Sequence, residues 1–338
     1  MTKRIGLLVG WENTFPPAFL DKLNAHGGVH AELAKIGGTN ETFTKKYDVL
    51  IDRISQEVQH YRLHLKAAQL AGTYVINDPL WWSADDKFFG FSLAAKLGCA
   101  IPKTVLLPQR DYIPSIDKSR SLRNLEFPLD WKAITDYIGF PAFLKPAEGG
   151  GWKNVTKVND EAELLAAYNA SGTLVMTLQE FIDFDDYVRC ICIGRDTILP
   201  IRYDPHRRCY LVESGYLPPR LGQRVVDDAW KICNALGYDM NSVEFAIKDG
   251  VPYAIDFTNP APDMDYYSIT PHYFDIVVDE MVRLALRVAS EGRTPRIPYN
   301  FGDFLPGGAR VNEQGPIARI LAAGGQPGDT AGGGVVAR

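Results

Sequence analysis

Glu244, Asp256 and Asn259 fall in one stretch, residues 242–265, SVEFAIKDGVPYAIDFTNPAPDMD. Carboxylate and amide oxygens are hard donors, and three of them converging at a sheet end suit Mg²⁺. Whether they converge depends on a turn. Residues 243–247 and 251–257 each alternate apolar and polar, the pattern of paired half-buried strands. Lys248-Asp249-Gly250 between them predicts a three-residue loop, with Gly in the left-handed conformation. That loop pairs Ile247 with Val251, Glu244 with Ala254 and Ser242 with Asp256. Glu244 and Asp256 are then diagonal neighbours on one face. A two-residue turn would put them on opposite faces. The competing reading is an ordinary hairpin with one solvated face.

Other residues have the types that hold phosphate. Lys145 precedes Glu148-Gly149-Gly150-Gly151, and Lys153 follows. Three glycines let N–H groups turn toward an anion without Cβ hindrance. The G-x-x-x-x-G-K-[ST] spacing is absent, so this is not a Walker A loop; a flexible hairpin tip is the plain alternative. Lys87 and Asp86 open a predicted helix that starts near Asp85. A cation there opposes the helix dipole unless a bound phosphate compensates it; an ion pair with Asp85 or Asp86 in solvent is the alternative. Arg189 and Arg202 sit on successive strands, from which a guanidinium can neutralise transferred phosphate. A surface pair with Asp185 or Asp204 is the plainer reading of each. His60 and His64 share a helix face but have no third ligand nearby, and read as solvated.

The elements that would carry these residues follow from periodicity. Strands at 5–9, 29–36, 47–52 and 73–76 alternate with helices at 17–25 and after Ser55, a predicted cap, which indicates a small parallel α/β layer. No G-x-G-x-x-G follows its first strand, which weakens a dinucleotide-binding reading. Residues 108–128 read as a surface loop. Asp130 and Asp160 cap two further helices, with the glycine-rich hairpin between them. Strands at 174–182, 187–193 and 197–203 lead to a helix at 225–236 and then to the hairpin; a last helix covers 274–288. From residue 292, Gly and Pro dominate and the segment reads as disordered.

Composition excludes other classes. The 338 residues are 46% hydrophobic and 23% charged, as expected of a globular chain, and the net charge of −5 opposes a general nucleic-acid binder. No apolar run approaches the roughly 20 residues of a membrane span, and no signal peptide is read at the start. Five scattered cysteines, with Cys190 and Cys192 as small buried hydrophobes, fit a reducing cytosol.

In the order of these signals the chain resembles the ATP-grasp superfamily, particularly its carboxylate–amine ligases, from about residue 47 to 288. The residues that carry the resemblance are Asp86-Lys87, Phe143-Leu144-Lys145-Pro146 before the glycine loop, Gln179-Glu180-Phe181-Ile182, Arg189 with Arg202, and Glu244 with Asp256 and Asn259. The resemblance implies an α/β (α+β) fold: an N-terminal parallel domain (1–83) and two antiparallel-sheet subdomains (84–182 and 183–291) clasping ATP, then the tail 292–338. Lys87 and Lys145 would contact the phosphates, and the loop carrying Glu148, Gly149, Gly150 and Gly151 would close over them. Glu180, Phe181 and Ile182 would meet the adenine edge, with Asp185 or Asp186 near the ribose. Glu244, Asp256 and Asn259 would hold Mg²⁺ or Mn²⁺. The family usually ends its metal strand Glu-x-Asn; here it reads Asp256-Phe257-Thr258-Asn259, one residue longer and one methylene shorter, which puts Asn259 in question as a ligand.

The implied reaction is ATP-dependent, ADP-forming ligation of a small-molecule carboxylate, an amino acid or peptide, to an amine through an acyl phosphate. Arg202 and Arg189 would stabilise the oxyanion and the departing phosphate. Nucleic acid and membrane are not expected partners, and a homodimer is compatible. An ATP-grasp small-molecule kinase and a non-catalytic ATP-binding module are the competing readings; retention of Glu244 and Asp256 opposes the second. Trp81, Trp82, Tyr266, Tyr267 and His272 are candidates for the substrate pocket, an aromatic run otherwise being core.

Overall fold

The computed structural model describes residues 2–42, 44–81, 86–116, 121–150, 152–213 and 215–295. Trp82, Asp85, Gly151 and residues 296–338 of the predicted tail lie outside the described residues.

Strands β1 (Lys3–Leu8), β2 (Val29–Leu33), β3 (Val49–Asp52) and β4 (Tyr74–Ile76) form a parallel sheet in the order β2-β1-β3-β4. Parallel neighbours need crossovers, supplied by α1 (Phe15–Asn24) and α2 (Gln59–Leu70). Prolines at its first positions suit the start of α1, since their missing N–H groups have no helical partner there. Phe15, Phe19 and Leu23 then fall on one face and are fully buried. Ser55 does not cap α2. Its backbone N–H donates to Asp52 Oδ1 at 2.9 Å and its hydroxyl to Asp52 Oδ2, and the helix begins after Val58.

Helix α3 (Lys87–Lys96) leads to a second, antiparallel sheet of β5 (Thr104–Leu107), β6 (Ala142–Pro146), β7 (Thr156–Val158) and β8 (Met176–Glu180), in the order β5-β8-β6-β7. Helices α4 (Trp131–Ile138) and α5 (Glu161–Ala170) cover one of its faces around Leu107, Leu144, Val158 and Leu178. Asp130 and Asp160 cap them as their types predict, accepting from Ala133 N at 2.9 Å and Glu163 N at 2.8 Å. Alternation along the strands leaves Phe143, Lys145, Thr177 and Gln179 on the opposite face.

The third sheet is antiparallel and has five strands: β9 (Asp186–Ile193), β10 (Thr197–Asp204), β11 (Cys209–Tyr210), β12 (Met240–Lys248) and β13 (Val251–Asp256), ordered β11-β10-β9-β12-β13. Helix α6 (Pro219–Leu236) packs Val225, Ala229, Ile232 and Cys233 on one face, against Val188, Cys190, Cys192 and Val243. The long helix α7 (Tyr266–Glu291) serves two sheets. Val277, Val278, Met281 and Ala285 belong to one core with Ile191, Ile193 and Ile201 of the third sheet and Ile5, Leu7 and Ile51 of the first. Burying a side chain of this size is worth about 1.5–3 kcal/mol, so this helix fixes the two sheets together. It is interrupted at Thr270-Pro271, where Thr270 has φ 70°. No helix among the described residues is long and apolar enough to cross a membrane.

Candidate active site

The hairpin of β12 and β13 turns through two residues, not three. Lys248 pairs with Val251, and Asp249 and Gly250 take φ of 51° and 72° between them. With that register alone Glu244 would face Ile255, and Asp256 would point to the opposite side. A bulge intervenes: Phe245 pairs with Ala254, but Glu244 pairs with Asp256. The extra residue, Ile255, returns both acids to one face. They are direct cross-strand neighbours rather than the diagonal ones expected.

On the other side of β12, Glu244 pairs with Arg189 of β9. Arg189, Glu244 and Asp256 therefore form a row across three adjacent strands. Arg189 Nη2 and the Tyr187 hydroxyl both donate to the Glu244 carboxylate. Burial opposes the charge on Arg189, but Glu244 and the surrounding tyrosines hold its pKa above the ordinary value. Its guanidinium lies 4.2 Å from the centroid of the Tyr203 ring.

Two lysines reach the far end of the row. Lys87 Nζ donates to Asp256 Oδ1 at 2.9 Å. It does not pair with Asp86, which instead caps α3 by accepting from Phe89 N at 2.7 Å. Gly90, one turn along α3, lets the helix approach β13: a Cβ there would lie 3.1 Å from the Phe257 ring. Lys145 Nζ donates to Gln179 Oε1 at 2.8 Å and to the Ile255 carbonyl at 3.3 Å, which bridges the second sheet to the bulge. Burial, opposed by Asp256 and reinforced by Lys87, pushes the Lys145 ammonium down to about 8. For Asp256, burial is outweighed by Lys87, Lys145 and Arg189, which hold the carboxyl at about 2. Its side chain still keeps 42% of its surface exposed, so a ligand can reach it.

The remaining predicted residues divide. Glu148, Gly149 and Gly150 follow β6, and the base of that loop touches α3 through Lys87 N and the Ala147 carbonyl at 3.4 Å. Glu180, Phe181 and Ile182 run from the end of β8, where Glu180 Oε2 accepts from Lys103 N at 3.1 Å. Asp185 is drawn to the hairpin turn, accepting from Asp249 N at 3.1 Å. Arg202 does not join the row. It pairs with Val188, not Arg189, so it projects from the opposite face. There it binds Asp186 at 2.8 Å and Glu213 at 2.7 Å, with 36% of its side chain exposed. Trp81 packs edge-on to Phe89 rather than beside Tyr266 and Tyr267.

Three important residues were not singled out by sequence reasoning. Asn241, fully buried, accepts from Asn259 N at 3.0 Å and donates to the Phe257 carbonyl at 2.8 Å. It thereby fixes the longer Asp256–Asn259 connection. Asn259 is turned back toward the row's face, its NH₂ donating to Ser242 Oγ at 2.9 Å. The only signal was an amide within an apolar strand, which a buried position forces to find partners. Glu12 and Arg53 form an ion pair whose side chains are 6% and 1% exposed. Met264 N donates to Glu12 at 3.1 Å, and Arg53 donates to the Pro262 carbonyl. A cleft beside them is lined by Trp11, Glu57 and Asp263.

Comparison with known proteins bears on the fold. No family model matches the chain. The D-alanine–D-alanine ligase of Ralstonia nicotianae is 30% identical over 164 residues, covering 42% of this chain and 49% of the relative. That of Halothermothrix orenii is 25% identical over 178 residues, covering 45% and 52%. The chain thus spans about half the length of the curated relatives it matches. A RimK-domain ATP-grasp protein from Sphaerobacter thermophilus superposes with a TM-score of 0.61 at 16% identity, over 84% of this chain and 99% of that one. The chain has the ATP-grasp fold. A Bacillus anthracis D-alanine–D-alanine ligase complexed with ATP superposes with a TM-score of 0.57 at 18% identity, over 86% of this chain and 99% of that one.

The residues of this row are chemically suited to a nucleotide and a hard divalent cation. Glu244 and Asp256 point from one face, and the Asn259 amide reaches Ser242 on the same strand face. Among the described residues no group of three or more His, Cys, Asp or Glu could hold a metal, so such a site needs the amide or the phosphates to complete it.

Proposed function

We propose that the chain is an ATP-dependent, ADP-forming ligase that joins a carboxylate to an amine through an acyl phosphate. The observation that carries this reading is the charged row Arg189–Glu244–Asp256 with Lys87 and Lys145 brought against it. Sequence similarity to D-alanine–D-alanine ligases supports ligation over phosphorylation of an alcohol. It also supports amino acids or short peptides as substrates.

In this reading Lys87 and Lys145 hold the phosphate oxygens, and the loop at 148–153 closes over them. Glu180, Phe181 and Ile182 border the adenine, with Asp185 near the ribose; Asp186 goes with Arg202 to the opposite face. Glu244, Asp256 and the Asn259 amide oxygen hold Mg²⁺ or Mn²⁺, which when bound screens the phosphate charge. A substrate carboxylate oxygen bonds to the γ-phosphorus while the bond to the β-phosphate oxygen breaks. The amine nitrogen then bonds to the acyl carbon, loses a proton, and phosphate leaves. Arg189, not Arg202, is the arginine of this site, and it steadies the oxyanion and the departing phosphate. The cleft at Trp11, Glu57 and Asp263 offers carboxylates to a substrate ammonium.

The test is the fate of the γ-phosphate. With candidate amino acids or dipeptides, phosphate should appear in step with ADP, and only when an amine acceptor is present. Oxygen-18 in the substrate carboxylate should pass into that phosphate, because the acyl phosphate breaks at carbon. Label kept in a phosphorylated organic product would replace ligation with a kinase reaction.

A further inference from the structure

The row is electrically complete without any ligand. Its two carboxylates already have cations: Arg189 donates to Glu244 and Lys87 donates to Asp256 at 2.9 Å. Lys145, on the Ile255 carbonyl one residue away, adds a third positive charge. Three cations face two anions. A divalent cation arriving alone must share Asp256 with the Lys87 ammonium or displace it, and either way it sits among like charges, which is unfavourable. A nucleotide polyphosphate arriving first reverses the balance. It adds several negative charges and offers the ammonium groups new oxygen partners.

We infer that Lys87 is a placeholder for the metal: it holds Asp256 until phosphate draws the ammonium away, so the cation is admitted with or after the nucleotide and never before it. This rests on the nucleotide-and-metal reading proposed above and adds an order of loading to it. The geometry favours Lys87 for the role over Lys145. Lys87 is on the first turn of α3 and contacts the carboxylate itself, whereas Lys145 is held by Gln179 and a backbone carbonyl. The Lys87 side chain is 10% exposed against 42% for Asp256, so the carboxylate keeps an open side.

The experiment is Mn²⁺ binding followed by the loss of the free-ion signal in electron paramagnetic resonance, with ADP so that no turnover intervenes. Wild-type protein alone should take up no Mn²⁺ at its site at concentrations that saturate it in the presence of ADP. Lys87→Met and Lys87→Gln should each bind Mn²⁺ without nucleotide, at least tenfold more tightly than wild type, and Lys87→Met with Asp256→Asn should lose that binding. Circular dichroism on each variant confirms folding, and the two Lys87 replacements guard against one failing to fold. Wild-type protein that binds Mn²⁺ alone as tightly as the Lys87 variants overturns the placeholder. So does a failure of both folded Lys87 variants to gain affinity. Unchanged Mn²⁺ uptake by Asp256→Asn with ADP present would instead remove the metal reading beneath it.

Discussion

Replacing Lys145 by methionine should make the empty protein more stable and its nucleotide binding weaker. Burial, against Asp256 and with Lys87, pushes the Lys145 ammonium from 10.5 to about 8. A gap of this size corresponds to about 3 kcal/mol of lost charge stabilisation. Methionine removes that penalty and keeps the apolar stem over Phe91, whose ring lies 5.1 Å from the ammonium. Against this, Gln179 Oε1 and the Ile255 carbonyl each lose a donor, at a cost of about 1–3 kcal/mol together. The net is a gain of up to about 2 kcal/mol at pH 7, or up to roughly 6 °C in Tm. The pH dependence has a fixed sign. A lysine whose folded pKa lies below its unfolded value destabilises the fold fully below about 8, and the penalty fades as pH rises from there to 10.5. The advantage of Lys145→Met should therefore shrink across that window. Thermal melts of both proteins from pH 7 to 10.5, with ADP affinity by calorimetry, make the test. A variant that melts several degrees lower at pH 7 yet binds nucleotide normally would refute both the desolvation argument and the phosphate role.

Arg189→Ala strips the partly buried Glu244 of its cation and should cost about 3 kcal/mol, whereas Arg202→Ala, at a surface pair, should cost under about 1 kcal/mol; urea melts of the two variants compare them directly. Asn241→Ala leaves the Phe257 carbonyl and the Asn259 N–H without partners, and should lower stability by about 2–4 kcal/mol in the same assay. Asp256→Asn should lower ATP turnover at least 100-fold while near-ultraviolet circular dichroism stays native; turnover within a few-fold of wild type would take the hairpin out of the active site. Gly90→Ala sets a methyl 3.1 Å from the Phe257 ring and should weaken ADP binding by displacing Lys87 with α3, a shift that calorimetry would register.

Some of this site was determined by the sequence itself. Period-two alternation at residues 243–257 requires a hairpin, because only paired strands bury one side of such a pattern. Asp130 and Asp160 cap helices because each carboxylate binds N–H groups two or three residues along its own chain. The order of Lys87, Lys145, the glycines, Glu244 and Asp256 identified the fold because these residues keep their sequence relation whatever the packing. Tertiary structure decided the rest. The turn at Asp249-Gly250 by itself sends Glu244 and Asp256 to opposite faces, and it is the Ile255 bulge, set where Asn241 ties down Phe257 and Asn259, that brings them together. The face shown by Arg202 follows from its register with Val188 on another strand. Lys87 meets Asp256 across 169 residues of chain. No local propensity encodes such a contact, since it exists only once Phe91 and Ala94 have packed α3 on the third sheet and Gly90 has let it close on Phe257.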